Sequence, residues 1–164
     1  MKDKKLSPNN REFWRELFKK LFEKNSTPET IVSKEIEEML RVVTQYIKNA
    51  RVVKFVANVL KSYKYSPEAA ALAIIDVAKE TKDAKVVKRV AKMFKDEEVR
   101  QAIEIYKDSP EISKAVASAI KDVVWETEDE ETVKFVANVL KSYKYSPEVA
   151  KAVALAIGKV AQMI

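Results

Sequence analysis

Apolar residues recur every three or four positions along most of this chain, which is the spacing of an amphipathic α-helix. Near the amino terminus, one such stripe has an aromatic edge. Its members are Phe13, Trp14, Leu17, Phe18, Leu21 and Phe22. Shorter stripes follow from Val56 to Tyr63 and from Val87 to Phe94. No segment reads as a strand hairpin, because the sequence has one glycine and no Asn-Gly or Asp-Gly turn.

A serine or threonine stands directly before proline at five places, and each predicts the start of a helix. These are Ser7, Thr27, Ser66, Ser109 and Ser146. A hydroxyl at the N-cap accepts a free backbone N–H, and proline at the next position has the φ that a first helical turn needs. Asp83 and Asp96 predict two further N-caps, and Glu128 or Asp129 opens another helix.

These signals predict an all-α fold with about nine helices arranged as stacked helix-turn-helix pairs. The predicted helices span residues 8–24, 28–48, 51–64, 67–81, 84–95, 97–107, 110–126, 130–144 and 147–163. We expect a single domain over residues 1–164, with a two-helix N-terminal cap over 1–50 and a stack of helix pairs over 51–164. The residues expected inside the stack are Val56, Val59, Leu60, Ala119, Ile120, Val136, Val139, Leu140, Ala156 and Ile157.

Sixteen consecutive residues occur twice, letter for letter, as VKFVANVLKSYKYSPE at 53–68 and at 133–148. Lysines expected on the surface are copied as faithfully as the apolar positions, and the flanking sequences diverge at once. The motif Tyr-Lys-x-Ser-Pro-Glu also occurs at 106–111, so three joints between helices share one pattern. Repetition on this scale is typical of architectures built from repeated helix pairs.

The repeated pairs resemble HEAT or armadillo-type repeats. VKFVANVLKSY is similar to the first helix of such a pair, and SPEVAKAVALAIGKVA, with its small residues, to the second. The resemblance covers residues 51–164 and implies a concave surface that binds a protein partner. The chain departs from a regular array, because its joints are separated by 43 and then 37 residues and the helix at 84–95 has no evident mate.

The chain also resembles a computationally designed all-helical protein assembled from helix-pair fragments. The copied block, the Ser/Thr-Pro-Glu helix starts and the absence of His and Cys are typical of such proteins. Asn58 and Asn138 inside helices, and lysine-ending helices without glycine caps, are not. Assembly from natural helical pieces agrees with both sets of features. A designed protein would have no evolved biochemical role and no natural location.

The composition leaves little room for catalytic or metal chemistry. Without His and Cys, the sequence excludes His-based triads, thiolate zinc sites and disulfides. With one glycine, it cannot form a glycine-rich phosphate loop. Acidic residues at 126 and 128–131 could bind a hard cation, but the helix dipole also favours acids at a helix start, and we favour that interpretation. We therefore predict no catalytic residue, no cofactor and no metal site.

The net charge of +6 is unevenly distributed. Residues 79–95 carry seven Lys/Arg and two acids, whereas residues 96–132 carry twelve acids and four bases. Lys85, Lys88, Lys92 and Lys95 share one face of the predicted helix 84–95 and are our candidate contacts for a partner or a nucleic acid. The favoured interpretation is a solvated face paired with acidic neighbours, because no aromatic residue interleaves with these lysines.

Three functions remain open, in this order. The first is a structural scaffold without catalysis, of designed origin, which requires no partner. The second is a natural helical-repeat module for protein–protein interaction, with a protein partner or self-association. The third is nucleic-acid binding through the helix at 84–95. The aromatic stripe of the predicted helix 8–24 is either an interaction element or, as we favour, an end cap of the stack.

The expected location is cytoplasmic, with no membrane partner. No apolar run approaches the roughly 20 residues of a membrane span, and residues 1–10 lack the apolar region of a signal peptide. A composition rich in lysine and poor in glycine also suits a thermostable protein.

Overall fold

The computed structural model describes residues 30–164, together with residues 12, 15, 16 and 19, which are helical. Side chains are described at these four positions and from Lys34 onward. The helices of residues 30–164 are α1 (Thr30–Tyr46), α2 (Ala50–Lys61), α3 (Pro67–Thr81), α4 (Ala84–Lys95), α5 (Glu97–Glu104), α6 (Pro110–Thr127), α7 (Glu130–Lys141) and α8 (Pro147–Gln162). The predicted all-α class is confirmed for this part of the chain. The predicted helix 8–24 and its aromatic stripe lie outside the described residues, apart from the four positions named.

The helices pack as two layers. In one layer α1, α3, α6 and α8 lie side by side in that order, with the most extensive contact between α6 and α8. In the other layer α2 packs against α4, and α5 packs against α7. Only Asp96 separates α4 from α5, so these two helices together take one place in the second layer. This interruption explains why the helix at 84–95 has no evident mate in the sequence.

One apolar core lies between the layers. Its largest fully buried side chains include Leu40, Leu60, Ile74, Phe94, Ile103, Ile120 and Leu140. Seven of the ten residues predicted inside the stack are buried: Val56, Val59, Leu60, Ala119, Ile120, Val136 and Leu140. Val139 and Ile157 are half-buried, and the prediction is wrong for Ala156, which is exposed. These three residues lie on α7 and α8, at one end of both layers.

Aspartate and asparagine cap several helices. Asp83 and Asp96 each accept hydrogen bonds from backbone N–H groups in the first turn of their helices, which confirms both predicted N-caps. The cap of α7 is Asp129 rather than Glu128. Asn49, which the sequence analysis did not single out, caps α2. Each side chain satisfies a backbone donor that has no partner within its own helix.

Helices α3, α6 and α8 begin at the predicted prolines, but the prediction that serine hydroxyls cap them is wrong. The hydroxyls of Ser66, Ser109 and Ser146 make no capping hydrogen bond. Ser66 has a left-handed φ of 58°, and the other two have ψ of 83° and 71°, below the ψ near 110° of the capping aspartates 83 and 129. Proline and the backbone therefore start these helices without help from the hydroxyl.

A second repeated joint became visible only in the structure. The sequence Glu-Thr-x-Asp occurs at 80–83 and at 126–129. In both places the threonine hydroxyl donates to a carbonyl one turn earlier and accepts the aspartate N–H at 3.2 Å. The residue between them is left-handed, with φ of 51° at Lys82 and 52° at Glu128. The two joints therefore connect α3 to α4 and α6 to α7 in the same way.

Candidate functional site

The four lysines predicted as candidate contacts lie in a row on the exposed side of α4. Lys85, Lys88, Lys92 and Lys95 are all exposed. Among the residues that the structure describes, none of the four forms an ion pair, whereas Arg89 lies 3.7 Å from Glu128. The face is solvated as expected, but acidic neighbours do not pair with these lysines.

An aromatic residue of another helix lies beside this row. The ring of Phe55, on α2, is 5.7 Å from Nζ of Lys88 and 6.0 Å from Nζ of Lys95. The three residues line a groove of about 370 Å³, which Asp96 and Glu130 also border. Each cation–π contact of this kind contributes about 0.5–1 kcal/mol at an exposed site. The sequence pattern gives no sign of Phe55 at this place, because only the packing of α2 on α4 brings it near the lysines.

The acidic residues at 126 and 128–131 take part in local structure. Asp129 caps α7, and Glu130 lies 3.9 Å from Lys134 one turn along the same helix. Within the described part of the chain, no three acidic side chains are placed to hold a metal ion. The cap agrees with the interpretation that these acids favour a helix start.

A cleft of about 460 Å³ between α3, α6 and α8 contains a buried lysine. Lys121 is 8% exposed, and its ammonium lies 3.2 Å from Asp122 and 3.5 Å from Asp76. Asp122 also accepts a hydrogen bond from Gln162 at 3.3 Å. Two carboxylates thus compensate one buried charge, which is the condition for burying it. The arrangement is a structural ion-pair network, and it does not place a nucleophile beside a free base.

The single glycine of the sequence lies beside this network. A Cβ at Gly158 would lie 3.1 Å from Oδ2 of Asp122 and 4.0 Å from Cα of Ala119. Glycine therefore lets α8 approach α6 closely while Asp122 keeps its place next to Lys121. A lone glycine inside a helical pattern is the signal from which this close contact could have been predicted.

Most of the strongly exposed large apolar side chains in the described residues lie at one end of the two layers. We call this surface the end face. It comprises Phe135 and Val139 on α7, Tyr143 and Tyr145 in the joint, Val149, Ala152, Ala156 and Val160 on α8, and Met163 directly after α8. Phe135 is 68% exposed, Tyr145 86% and Val160 60%. This concentration of exposed apolar side chains makes the end face a candidate interaction surface, because large exposed apolar patches occur at such sites.

The α8 part of the end face points away from its neighbour α6. Lys151 of α8 lies 3.0 Å from Glu111 of α6, which locates the side of α8 that faces α6. At about 100° per residue, Val149, Ala156 and Val160 lie on roughly the opposite side. In the same layer α6 has a neighbour on each side, α3 and α8. The end face is therefore where the next helix of the layer would pack.

The sixteen-residue segment is better covered at its first occurrence. We call residues 53–68 the first copy and residues 133–148 the second copy. Val59 is 1% exposed, whereas Val139 is half-buried. Tyr63 is 5% exposed and its hydroxyl donates to the Phe94 carbonyl at 2.7 Å. The Tyr143 hydroxyl makes no hydrogen bond to the residues that the structure describes.

The tyrosine contact recurs at the middle joint, residues 106–111. The Tyr106 hydroxyl donates to the Leu140 carbonyl, so two motif tyrosines each reach a carbonyl near the end of the next helix of the second layer. Burial raises the pKa of Tyr106. Burial raises the pKa of Tyr63 well above its ordinary value, and the nearby carboxylate of Glu104 adds to the effect while Arg100 opposes it. Both hydroxyls are therefore held in their neutral, donating form.

Comparisons with protein-family models, curated proteins and solved structures find no match for this chain. Within the described residues, no helix is long and apolar enough to cross a membrane.

Proposed function

We propose that this protein is a helical-repeat scaffold that binds another protein through its end face and carries out no catalysis. One observation supports the proposal above all others. Phe135 is 68% exposed, whereas Phe55, the same position of the same sixteen-residue sequence, is half-buried beside Lys88 and Lys95. The α7 and joint part of the end face thus has the same sequence as a surface that is better covered in the first copy.

The order of the helices supports the resemblance to HEAT or armadillo-type arrays. In such arrays each pair contacts its neighbours, and a terminal pair needs a polar outer face or a cover. The hydrogen bonds of Tyr63 and Tyr106 join one helix pair to the next in the same way twice. The outer side of α8 is not polar, because it carries Val149, Ala156 and Val160.

Site-specific photo-cross-linking in cells that express the chain tests this function. A photoreactive phenylalanine analogue replaces Phe135 in one variant and Phe55 in a matched variant. We expect position 135 to form a covalent product with another protein and position 55 to form none, because α4 covers that ring. No product from position 135, or the same products from both positions, would contradict the proposal.

Nucleic-acid binding through α4 is a second candidate, supported by the four exposed lysines, which form no ion pair with the residues that the structure describes. A row of exposed cations suits the phosphate backbone of a nucleic acid. Four phosphate contacts would make the logarithm of affinity fall with that of salt at a slope of about −3 for a single strand. Titration of labelled single-stranded DNA at several salt concentrations measures this slope. A Lys85→Glu, Lys88→Glu, Lys92→Glu variant should lose binding.

The matched control for this titration is Lys114→Glu, on exposed α6 surface away from the lysine row. Equal loss in the control and in the triple variant would show that net charge, rather than the row, governs binding. Absence of binding at low salt would remove this candidate.

A further inference from the structure

The helices that cover the first copy indicate what kind of partner fits the second. We propose that the end face binds a helical unit with the chemistry of residues 84–107. Such a unit has an amphipathic helix with lysines along one edge and a free main-chain carbonyl near its end. This inference rests on the proposed function and specifies its partner.

The first element of that chemistry is the lysine edge. In the first copy the Phe55 ring faces Nζ of Lys88 at 5.7 Å and Nζ of Lys95 at 6.0 Å. The two lysines are seven residues apart and therefore lie on one face of α4. Phe135 presents the same ring from the same sequence, and it is largely exposed. A partner helix with two cations at this spacing would complete the contact.

The second element is the carbonyl acceptor. The Phe94 carbonyl, near the end of α4, accepts from the Tyr63 hydroxyl, and the Leu140 carbonyl accepts from Tyr106. Carbonyls in the last turn of a helix have no partner within that helix or only a strained one, so they are natural acceptors. Tyr143 offers the third hydroxyl of this series, without an acceptor among the described residues.

A carboxylate is an optional third element. The Glu104 carboxylate accepts the N–H groups of Lys64 and Tyr65, and the Tyr65 ring lies 4.4 Å from Nζ of Lys107. At the middle joint Tyr106 makes its hydrogen bond although, among the described residues, no carboxylate accepts the backbone N–H groups that follow it. Ser109 of this joint has a φ of −134°, close to the −136° of Ser146. The joint of the second copy, residues 143–148, can therefore bind a partner without a change of backbone conformation.

A second molecule of this chain cannot supply α4 as the partner while it stays folded, because its own α2 and α3 already pack against that helix. Among the described residues, its free surfaces include the end face itself, whose side chains include no lysine. The occupant that the observations favour is accordingly a separate helical unit rather than a symmetric second copy.

The experiment supplies the proposed chemistry directly. Residues 82–128 of this sequence are appended after Ile164 through a flexible linker, which provides a high effective concentration. Since the chain has no cysteine, Ala156→Cys introduces a single thiol on the end face. We expect the thiol to react with a soluble reagent at least tenfold more slowly in the extended chain than in the unextended chain. A Lys85→Cys variant, on the original lysine row, is the control and should react equally fast in both.

Two variants make the result specific. Phe135→Asp in the extended chain should restore fast labelling, and so should replacement of the appended counterparts of Lys88 and Lys95 by glutamate. Equal labelling with and without the appended segment would overturn the inference. Protection that survives loss of the appended lysines would also overturn it, because the basic edge would then have no role.

Sedimentation of the unextended chain decides the remaining alternative. A dimer that Phe135→Asp converts to a monomer would overturn the inference in favour of a second copy, whereas a monomer agrees with it. The inference and the proposed function can fail separately. Cross-links from position 135 without protection by the appended segment would support the proposed function but contradict the partner chemistry inferred here. Protection by the appended segment without cross-links from position 135 would support that partner chemistry but contradict the proposed function.

Discussion

In the first copy Ser66 has a left-handed φ of 58°, whereas in the second copy Ser146 has an extended φ of −136°. The middle joint differs in sequence from both, at residue 108, and yet its Ser109 agrees with Ser146. The two copies have the same joint sequence, so the difference arises outside the joint. In the first copy Glu104 of a neighbouring helix accepts the N–H groups of Lys64 and Tyr65, and these hydrogen bonds favour the left-handed turn.

Burial divides the apolar positions of the two copies into two groups. Positions that face the core of their own pair match, and Leu60 and Leu140 are both fully buried. Positions that face the next pair differ, as at Tyr63, which is buried, and Tyr143, which is half-buried. The copies therefore share an internal environment and differ in what covers them.

The largest effects should come from the shared core. Leu60→Ala and Leu140→Ala should each lower the free energy of unfolding by about 2–5 kcal/mol, because each leaves a cavity in a packed core. Urea unfolding followed by circular dichroism measures both. Leu155→Ala, at a 53% exposed position, is the control and should cost far less. A full loss at Leu60 with less than about 1 kcal/mol at Leu140 would show that the cores are not equivalent.

Removal of the motif tyrosine's hydroxyl should change the free energy of unfolding more in the first copy than in the second. Tyr63→Phe leaves the buried Phe94 carbonyl without its donor, so we expect a loss of about 1–3 kcal/mol. Tyr143→Phe removes a hydroxyl without an acceptor in the described residues and should change stability by less than about 0.5 kcal/mol. The same unfolding assay applies. Equal losses would mean that the Tyr143 hydroxyl has an acceptor in solution.

The pH dependence of the free energy of unfolding should also reveal the burial of Tyr63. The pKa of Tyr63 is raised above 10.0 in the folded state, so folded Tyr63 keeps its proton where an unfolded tyrosine loses it. Its stabilising contribution is complete below pH 10.0 and is lost as pH rises towards the folded pKa. Unfolding free energies measured from pH 9 upward should fall more steeply for the natural chain than for Tyr63→Phe. Parallel curves would contradict the assignment.

The smallest effect concerns the two serines. Ser66→Gly should stabilise the protein by up to about 1 kcal/mol, because glycine adopts a left-handed φ without steric cost. Ser146→Gly should be neutral or destabilising by a few tenths of a kcal/mol, since an extended φ suits serine and glycine adds freedom to the unfolded chain. Thermal unfolding of both variants tests the difference. Stabilisation of both would mean that the two joints share one conformation in solution.

The candidate site was only partly predictable. The lysine row was predicted residue by residue, because a helical period places residues 85, 88, 92 and 95 on one face. Phe55 beside it was not, since it belongs to another helix. The designed origin, the single domain, the cytoplasmic location and thermostability stay predictions.

From residue 50 onward, local sequence signals predict the first residue of each helix to within one residue. Two predicted helices, 67–81 and 84–95, match α3 and α4 residue for residue, because proline and capping aspartate are local signals. Only the tertiary structure decided the left-handed turn at Ser66, the burial of Tyr63 and the exposure of Phe135. Each depends on what packs against the segment. Two identical segments with different neighbours show that this information is not contained in the segment itself.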